Sequence, residues 1–257
     1  MILIKTPEEI EIMRQAGRIL SEVMKKIVPN IQRDVSTLEL DRLAEKLILQ
    51  AGAEPGFKGY KTGNKIYPAT LCASINEQVV HALPRKDRIL KERDIIGLDC
   101  GVKYKDYYSD MALTVGVGKI SSEAEKLIKV TKESLEIGIK NIRPGVYLGD
   151  ISWLIQSYVE KNGFSIVRQL CGHGVGRDLH EEPNIFNYGN KGTGPVLKSG
   201  MVLAIEPMVN SGGWKVKTSD DGWTIVTEDG SLSAHFEHTI LITEKGAEVL
   251  TSIDKNN

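Results

Sequence analysis

The sequence has 257 residues, with 33 basic and 34 acidic side chains and a formal net charge of −1. This balance gives no electrostatic reason to expect nucleic-acid binding, and charges interrupt every apolar run before the length of about 18 residues that suggests a transmembrane helix. Three scattered cysteines without a CxxC pair and an N-terminus unlike a signal peptide predict a cytoplasmic protein rather than a disulfide-rich secreted one.

Two helices are predicted near the start of the chain. Residues 6–28 begin at a capping box formed by Thr6 and Glu9, and their apolar side chains recur at helical spacing. Residues 37–51 begin after Ser36, which is also followed three positions later by a glutamate. The two segments therefore predict a pair of amphipathic helices.

A similar helix pair is predicted over 122–142 and 151–162, and its first helix opens with a capping box at Ser122. Each pair contains a proline joint, and the two prolines, Pro29 and Pro144, lie 115 positions apart. The spacing favours a coarse duplication of the chain.

Strand-like segments follow each helix pair, so the order along the chain is helices, strands, helices, strands. That order favours an α+β fold with antiparallel strands over a βαβ alternation. We expect one domain, 1–257, made of two similar halves at about 1–118 and 119–257. The turn signal Asp229-Gly230 predicts a hairpin between the last two strands. The predicted strands are 71–75, 94–102, 108–117, 165–171, 201–209, 223–228 and 232–243.

The first hairpin carries two aspartates. If its turn is centred on Tyr104-Lys105, Asp99 and Asp110 stand directly opposite each other. Like charges in that position destabilise a sheet, and aspartate is a poor strand residue. The pair therefore calls for a cation or for protonation of one carboxyl group. The alternative is a register that differs by one or two residues, with both carboxylates in solvent.

Two further carboxylates, Glu206 and Glu237, stand in strongly apolar strands without a basic neighbour in sequence. Buried carboxylates need a partner, either an Arg or Lys supplied by the fold or a metal ion. His173 lies between glycines, which allow a close approach of the backbone. Two Asp, two Glu and one His suit Mn²⁺, Fe²⁺, Co²⁺ or Zn²⁺, and four carboxylates indicate two ions about 3.5–4 Å apart.

The other histidines have separate expectations. His81 and His180 would be free for proton transfer or hydrogen bonding if they line the same cleft. His235 comes two residues before Glu237 and is predicted to share its side of a strand, whereas His238 points the other way.

In order and spacing these residues resemble type I methionine aminopeptidases over nearly the whole chain. Only 25 residues separate His180 from Glu206, which leaves no room for the helical insertion of type II. The resemblance implies the pita-bread fold, in which pseudo-two-fold halves share an antiparallel sheet covered by helices. The segments that carry it are Ser74–His81, Asp99–Gly101 with Tyr108–Asp110, Gly172–Gly176 with His180–Pro183, Ala204–Pro207, Asp221–Trp223 and Ser231–Thr239.

The resemblance also implies a reaction, the removal of the initiator methionine from nascent proteins and peptides with a small second residue. A hydroxide shared by two divalent metals would attack the methionine carbonyl, and Glu206 would accept a proton. His180 would hydrogen-bond the substrate carbonyl, and His81 would lie near the scissile nitrogen. The implied metal ligands are Asp99, Asp110, His173, Glu206 and Glu237, with Asp110 and Glu237 bridging.

The implied methionine pocket is small and apolar, as a thioether requires. The loop 57–68 is longer than in the family and contains three lysines, and we expect it to cover part of the molecule. His235 stands where glutamine is common, Ala82 where glycine is typical, and Leu179 where an aromatic residue or Met is common. The implied pocket residues are Tyr60, Tyr67, Cys72, Leu179 and Trp223, besides His81 and His180.

Two alternatives share the fold. X-Pro aminopeptidases and dipeptidases usually carry an additional N-terminal domain, and non-catalytic ribosome-binding relatives typically lose metal ligands, whereas this chain keeps all five. The expected partners are nascent polypeptide N-termini, with transient ribosome contact, no nucleic-acid specificity and no membrane. We expect a monomer.

Overall fold

The computed structural model describes residues 2–253. The four predicted helices are present, and local capping explains where the first two begin. Thr6 and Ser36 accept hydrogen bonds from the backbone N–H groups of Glu9 and Glu39, which confirms both predicted capping boxes. The helices are α1 (Pro7–Ile27), α2 (Thr37–Gln50), α3 (Ser122–Lys140) and α4 (Leu148–Lys161).

The second helix pair differs slightly from the predicted one. Helix α3 begins at Ser122, as predicted, but it ends at Lys140, and its cap is Ser121, whose hydroxyl accepts from the Ala124 N–H. Helix α4 begins at Leu148 rather than after Asp150, because the Asp150 carboxylate lies within the first turn and accepts from the Tyr147 N–H at 3.3 Å. No helix of the described residues combines the length and hydropathy that membrane crossing requires.

The strands are short, and most are antiparallel neighbours in one large sheet. Its order is β1-β6-β7-β16-β11-β9-β10, with β4 also paired to β6 and β17 to β16. The strands are β1 (Glu54–Pro55), β2 (Lys61–Thr62), β3 (Lys65–Ile66), β4 (Leu71–Ile75), β5 (Gln78–Val80), β6 (Ile95–Tyr104), β7 (Tyr107–Gly116), β8 (Ser165–Ile166), β9 (Gly172–Gly174), β10 (Glu181–Ile185), β11 (Val202–Ile205), β12 (Met208–Asn210), β13 (Val216–Thr218), β14 (Ile225–Thr227), β15 (Ser233–His235), β16 (Glu237–Thr243) and β17 (Gly246–Val249).

The helices cover this sheet and its smaller neighbours. Helix α1 packs on β6 and β7, while α3 packs against α4 and β15. The buried faces of helices and strands join in a continuous apolar core that extends through both parts of the chain. The α+β class with antiparallel pairing is thus confirmed, and the division into two equivalent halves near residue 118 stays a prediction.

The register of the first hairpin differs from the predicted one by two residues. Asp99 pairs with Ala112, and Asp110 pairs with Gly101. The turn residues are Lys105 and Asp106, with φ of 47° and 66°, values that two-residue hairpin loops require. Neither residue is the glycine or asparagine that usually marks such a turn, so the predicted turn position, Tyr104-Lys105, is wrong by one residue. A shift of two keeps both aspartates on one face.

Two long predicted strands are each interrupted beside a candidate ligand. The segment 201–209 divides into β11 and β12 at Glu206-Pro207, where the proline has no N–H to give to a ladder. The segment 232–243 divides into β15 and β16 at Phe236. His235 and Glu237 therefore do not share one strand, contrary to the prediction.

The predicted Asp229-Gly230 hairpin is wrong. Strand β14 pairs with β13 and β5, whereas β15 pairs with β12. The tight turn is present, since Gly230 has a φ of 75°, but the chain passes there from one sheet to another. The Asp229 carboxylate stabilises the passage by accepting from the backbone N–H groups of Gly213 at 2.7 Å and Ser231 at 3.0 Å.

Candidate metal centre

The five predicted ligands lie side by side because the strands that carry them are neighbours. Across β6, β7, β16, β11 and β9 the sheet presents one ligand from each strand or from the residue that directly follows it. In that order they are Asp99, Asp110, Glu237, Glu206 and His173.

Small residues between the ligands leave room above the sheet. Ala112 pairs with both Asp99 and Glu237, so a methyl group separates two carboxylates in the ladder. On the other side of Glu237, Ala204 pairs with His173. The carboxylates and His173 therefore form the floor of the site, and only methyl groups stand between them.

The glycines beside His173 have the predicted role of close approach. A Cβ atom on Gly172 would lie 2.3 Å from the Ala204 carbonyl oxygen, and one on Gly174 would lie 2.2 Å from that of Glu182. The strand β9 can therefore pair closely with β11 and β10 only with glycine at both positions. This packing fixes the His173 side chain over the floor.

The Thr239 hydroxyl group joins β7, which carries Asp110, to β16, which carries Glu237. The Asp110 backbone N–H donates to Thr239 Oγ1 at 2.9 Å, and Thr239 Oγ1 donates to the Asp110 carbonyl at 2.7 Å. Thr239 is fully buried. The two bonds join β7 to β16 close to the candidate ligands that the two strands carry.

The carboxylates are buried without a basic partner. Asp110 and Glu237 are 3% and 2% exposed, and one oxygen each of Asp99, Asp110 and Glu237 has no hydrogen-bond partner. None of the described residues lining the cavity is Lys or Arg. The alternatives of solvated aspartates and of a salt bridge to a basic residue therefore do not fit this site.

Burial and mutual repulsion act on the same groups. Burial raises the pKa of Asp110 to about 7, and burial with the nearby Asp110 charge raises the pKa of Asp99 and of Glu237. Burial likewise raises the pKa of Glu206, and it lowers the pKa of His173 to about 3. A neutral imidazole among carboxylates that lack a counter-charge is a suitable donor set for a divalent cation.

Three of the five residues also fit a metal ion in their spacing. One ligand atom each from Asp110, His173 and Glu237 lies within 4.8 Å of the other two. Oxygen donors with a single imidazole suit first-row divalent metals. A metal centre is therefore the assignment that explains the unpartnered oxygens.

All twelve predicted site residues line one cavity of about 510 Å³. Its floor is the acidic cluster, and its wall is apolar. Six further lining residues were not predicted as site residues. Three of them lie in segments that the sequence analysis singled out, the loop 57–68 and Asp221–Trp223. Nothing in the local pattern of the other three distinguishes them from ordinary loop and strand residues. The predicted residues are Tyr60, Tyr67, Cys72, His81, Asp99, Asp110, His173, Leu179, His180, Glu206, Trp223 and Glu237, and the further ones are Phe57, Thr62, Asn184, Thr218, Gly222 and Ile225.

The apolar wall is rigid where its aromatic rings meet. The rings of Tyr67 and Trp223 pack edge to face with centroids 5.2 Å apart. The Tyr67 hydroxyl donates to the Leu71 carbonyl at 2.9 Å, and burial raises the Tyr67 pKa. Cys72 and Leu179 pack in the same apolar cluster. The wall presents aromatic, aliphatic and sulfur atoms, which suit a thioether side chain.

Two histidines face the cavity from opposite loops. His180 Nδ1 lies 2.7 Å from the Tyr60 hydroxyl, and its ring packs against that of His173 with centroids 4.3 Å apart. Both side chains are open to the cavity, and the less polar surroundings that the protein provides lower the pKa of His180. His81 has a φ of 58°, rare outside glycine, and its surroundings, with a smaller contribution from repulsion by His180, lower its pKa as well. Both rings are therefore neutral near pH 7.

His235 reaches the cluster despite the break between β15 and β16. Its Nε2 lies 3.5 Å from Glu206 Oε2 and has no hydrogen-bond partner. The Thr114 hydroxyl fixes the His235 backbone through two hydrogen bonds of 2.9 Å. Burial, with a smaller contribution from His81, lowers the His235 pKa to about 3.

The sequence matches metallopeptidase family M24 over residues 11–244. It is similar to methionine aminopeptidase of Clostridium perfringens, with 51% identity over 98% of this chain and 100% of the relative. The corresponding protein of Escherichia coli K12 is 44% identical over 97% of this chain and 94% of the relative.

Solved structures give the same picture. Methionine aminopeptidase from Thermotoga maritima superposes with a TM-score of 0.95 at 48% identity, covering 98% of this chain and 100% of that one. Prolidase from Pyrococcus furiosus superposes with a TM-score of 0.76 at 25% identity, and this chain covers 66% of it.

Proposed function

The chain belongs to metallopeptidase family M24, and we propose that its cavity removes methionine from the N-termini of nascent proteins and of peptides whose second residue is small. Relatives named methionine aminopeptidase, at 44–51% identity over nearly the full chain, support a metallo-aminopeptidase, a hydrolase with the pita-bread fold. The prolidase alternative is less favoured, because prolidase from Pyrococcus furiosus is 25% identical and this chain covers only 66% of it.

One observation carries the proposal. An acidic cluster fitted for metal and an apolar wall fitted for a thioether line the same cavity. A peptide that places its first side chain against Tyr67, Cys72 and Trp223 would bring its first carbonyl towards the acidic floor. The two surfaces together select an N-terminal residue and hold its peptide bond.

We assign the metal ligands as the resemblance implied them. Asp99, Asp110, His173, Glu206 and Glu237 would hold two divalent ions. Such ions, when bound, supply Lewis acidity towards water and the scissile carbonyl. The donor set suits Co²⁺, Mn²⁺, Fe²⁺ and Zn²⁺.

The histidines act on the substrate through neutral rings. The Tyr60 hydroxyl donates to His180 Nδ1 in this assignment, so the proton of His180 is on Nε2. His180 Nε2–H would then donate to the carbonyl oxygen of the substrate methionine. His81 would accept or donate a hydrogen bond at the scissile nitrogen, and Glu206 would take up a proton.

The remaining expectations concern the cellular location, the oligomeric state, ribosome contact and the residues of the pocket. The prediction of a cytoplasmic monomer that meets nascent chains during transient ribosome contact stays a prediction. The pocket roles of Tyr60, Tyr67, Cys72, Leu179 and Trp223 are proposals of the same kind.

A peptide assay tests the function. The protein is freed of metal with a chelator and then supplied with Mn²⁺ or Co²⁺, and release of methionine from Met-Ala-Ser is measured. We expect no turnover without metal and restored turnover with it. Ala-Ala-Ser and an X-Pro peptide are the matched controls, and cleavage of the X-Pro peptide without cleavage of Met-Ala-Ser would overturn the proposal.

A further inference from the structure

We propose that a buried ion pair between Lys5 and Glu181 positions His180, so that the segment before α1 is a positioning element of the active site. The inference rests on the proposed role of His180 towards the substrate. It assigns a task to two residues that lie 176 positions apart in the chain.

The loop that carries His180 is closed by the Glu181 carboxylate. Residues 175–180 connect β9 to β10, and Glu181 pairs with Gly174 where the two strands meet. Glu181 Oε1 accepts from the backbone N–H of Arg177 at 2.8 Å and from that of Asp178 at 3.4 Å. The glutamate that follows His180 thus binds the backbone of the residues that precede it in the same loop.

Lys5 completes this closure from the N-terminal segment. Its ammonium group donates to Glu181 Oε2 at 2.5 Å, and the two side chains are only 5% and 7% exposed. The Lys5 backbone N–H donates to the Gly200 carbonyl at 2.8 Å, just before β11. The lysine is therefore fixed at its backbone and at its charged end.

The loop is shaped to admit the pair. A Cβ atom on Gly176 would lie 2.5 Å from Lys5 Nζ and 2.4 Å from Glu181 Oε1. A larger residue there would displace the charged ends of the pair. Because both charges are removed from water, loss of one partner leaves the other buried and unpaired, and the carboxylate would then leave its two loop amides.

A second contact between the same two regions provides a contrast. The Arg177 guanidinium donates to Glu9 Oε1 at 3.4 Å, and the arginine side chain is 65% exposed. This pair also joins the loop to the N-terminal region, but it lies at the surface, where the guanidinium stacks over the Tyr107 ring at 4.9 Å from its centroid. Exposed pairs of this kind contribute little, so Arg177→Met is a matched control for Lys5→Met.

The test uses the full-length, metal-loaded protein. Turnover of Met-Ala-Ser is measured for Lys5→Met, Glu181→Gln, Lys5→Arg and Arg177→Met, with bound metal counted in each sample. We expect Lys5→Met and Glu181→Gln to lose about tenfold or more in kcat, as small misplacements of catalytic groups do. We expect an unchanged metal count, partial rescue by Lys5→Arg, and Arg177→Met within about twofold of the parent.

A His180→Ala background separates positioning from general damage. If the pair acts through His180, Lys5→Met lowers kcat in the parent but adds no further loss to His180→Ala. An equal loss in both backgrounds, or no loss in either, overturns the inference. Full activity of His180→Ala alone would instead refute the proposed role of His180. The imidazole NMR signals of His180 give a readout that does not depend on turnover, and unchanged signals in both Lys5→Met and Glu181→Gln would also contradict the pair's role.

Discussion

Among single residues, Glu206 has an imidazole near each of its two carboxylate oxygens. His173 Nε2 lies 3.7 Å from Glu206 Oε1, and His235 Nε2 lies 3.5 Å from Oε2. Burial keeps both imidazoles neutral, with pKa values of about 3. Groups behind a metal ligand fix its orientation and its basicity. We therefore expect His235, which the resemblance marks as a departure from glutamine, to support Glu206 as a metal ligand.

Replacement of His235 tests this support. We expect His235→Leu to weaken metal binding by up to about 10–100-fold, the range for loss of a polar group that lies behind a metal ligand. We expect His235→Gln to stay much closer to the parent, because the amide keeps an N–H donor. The measurement is a titration with Co²⁺ followed by absorbance. His238→Gln is the control, and equal affinities of the Leu variant and the parent would contradict the expectation.

Among the elements, the inserted hairpin of β2 and β3 has the clearest relation to the cavity. Thr62 lines the cavity, and Lys65 Nζ donates to the Gly222 carbonyl at 2.8 Å. A Cβ atom on Gly222 would lie 2.5 Å from that ammonium group. The hairpin therefore lies against the loop of Trp223 and narrows the mouth, in agreement with the expectation that the lysine-containing loop covers part of the molecule.

Removal of the Lys65 contact is expected to relax substrate selection. A bond to a carbonyl contributes about 0.5–1.5 kcal/mol, so Lys65→Met should allow the hairpin to leave the mouth more often. We expect kcat/KM for Met-Val-Ser to rise by roughly threefold to tenfold relative to Met-Ala-Ser, in line with that energy. Lys61→Met removes the same charge from the same hairpin. An identical change in both variants would mean that charge, and not the contact, is responsible.

Sequence patterns predicted elements well where the cause is local. The capping boxes of α1 and α2 involve residues three positions apart, so the pattern contains the whole interaction. The turn at Lys105-Asp106 and the passage at Asp229-Gly230 depend on which strands pair, and that information lies far away in the chain. The same is true of Lys5 and Glu181, whose contact has no local signature.

At the scale of the whole molecule, an overall charge of −1 conceals a strongly acidic interior. Four carboxylates meet in one cavity without a Lys or Arg among its described lining residues. Their types and apolar flanks were visible in the sequence. Their order across the sheet was not, because it follows from the pairing of β7 with β16.

This arrangement predicts a conflict between stability and function. Glu237→Gln removes one of several mutually repelling buried charges, so we expect the metal-free variant to be more stable than the metal-free parent by roughly 0.5–2 kcal/mol. Unfolding by urea in the presence of a chelator measures this. With metal at about 100 times its dissociation constant, the parent should gain about 2.7 kcal/mol, and the variant should gain much less.

The exposed Glu228→Gln is the control for the change in net charge. A metal-free Glu237→Gln protein that is less stable than the parent would show that the carboxylate has a structural partner.

The hydroxyl of Thr239 that fastens Asp110 has a consequence in time. The two residues lie 129 positions apart, and contacts of such sequence separation form late and slowly. A chain still emerging from synthesis can present Asp99 and Asp110 on the hairpin of β6 and β7, but it lacks β16, which pairs with β7 and carries Glu237. The protein can therefore hydrolyse a peptide only after β16 has paired with β7. Each molecule completes its own folding before it can act on the N-terminus of another.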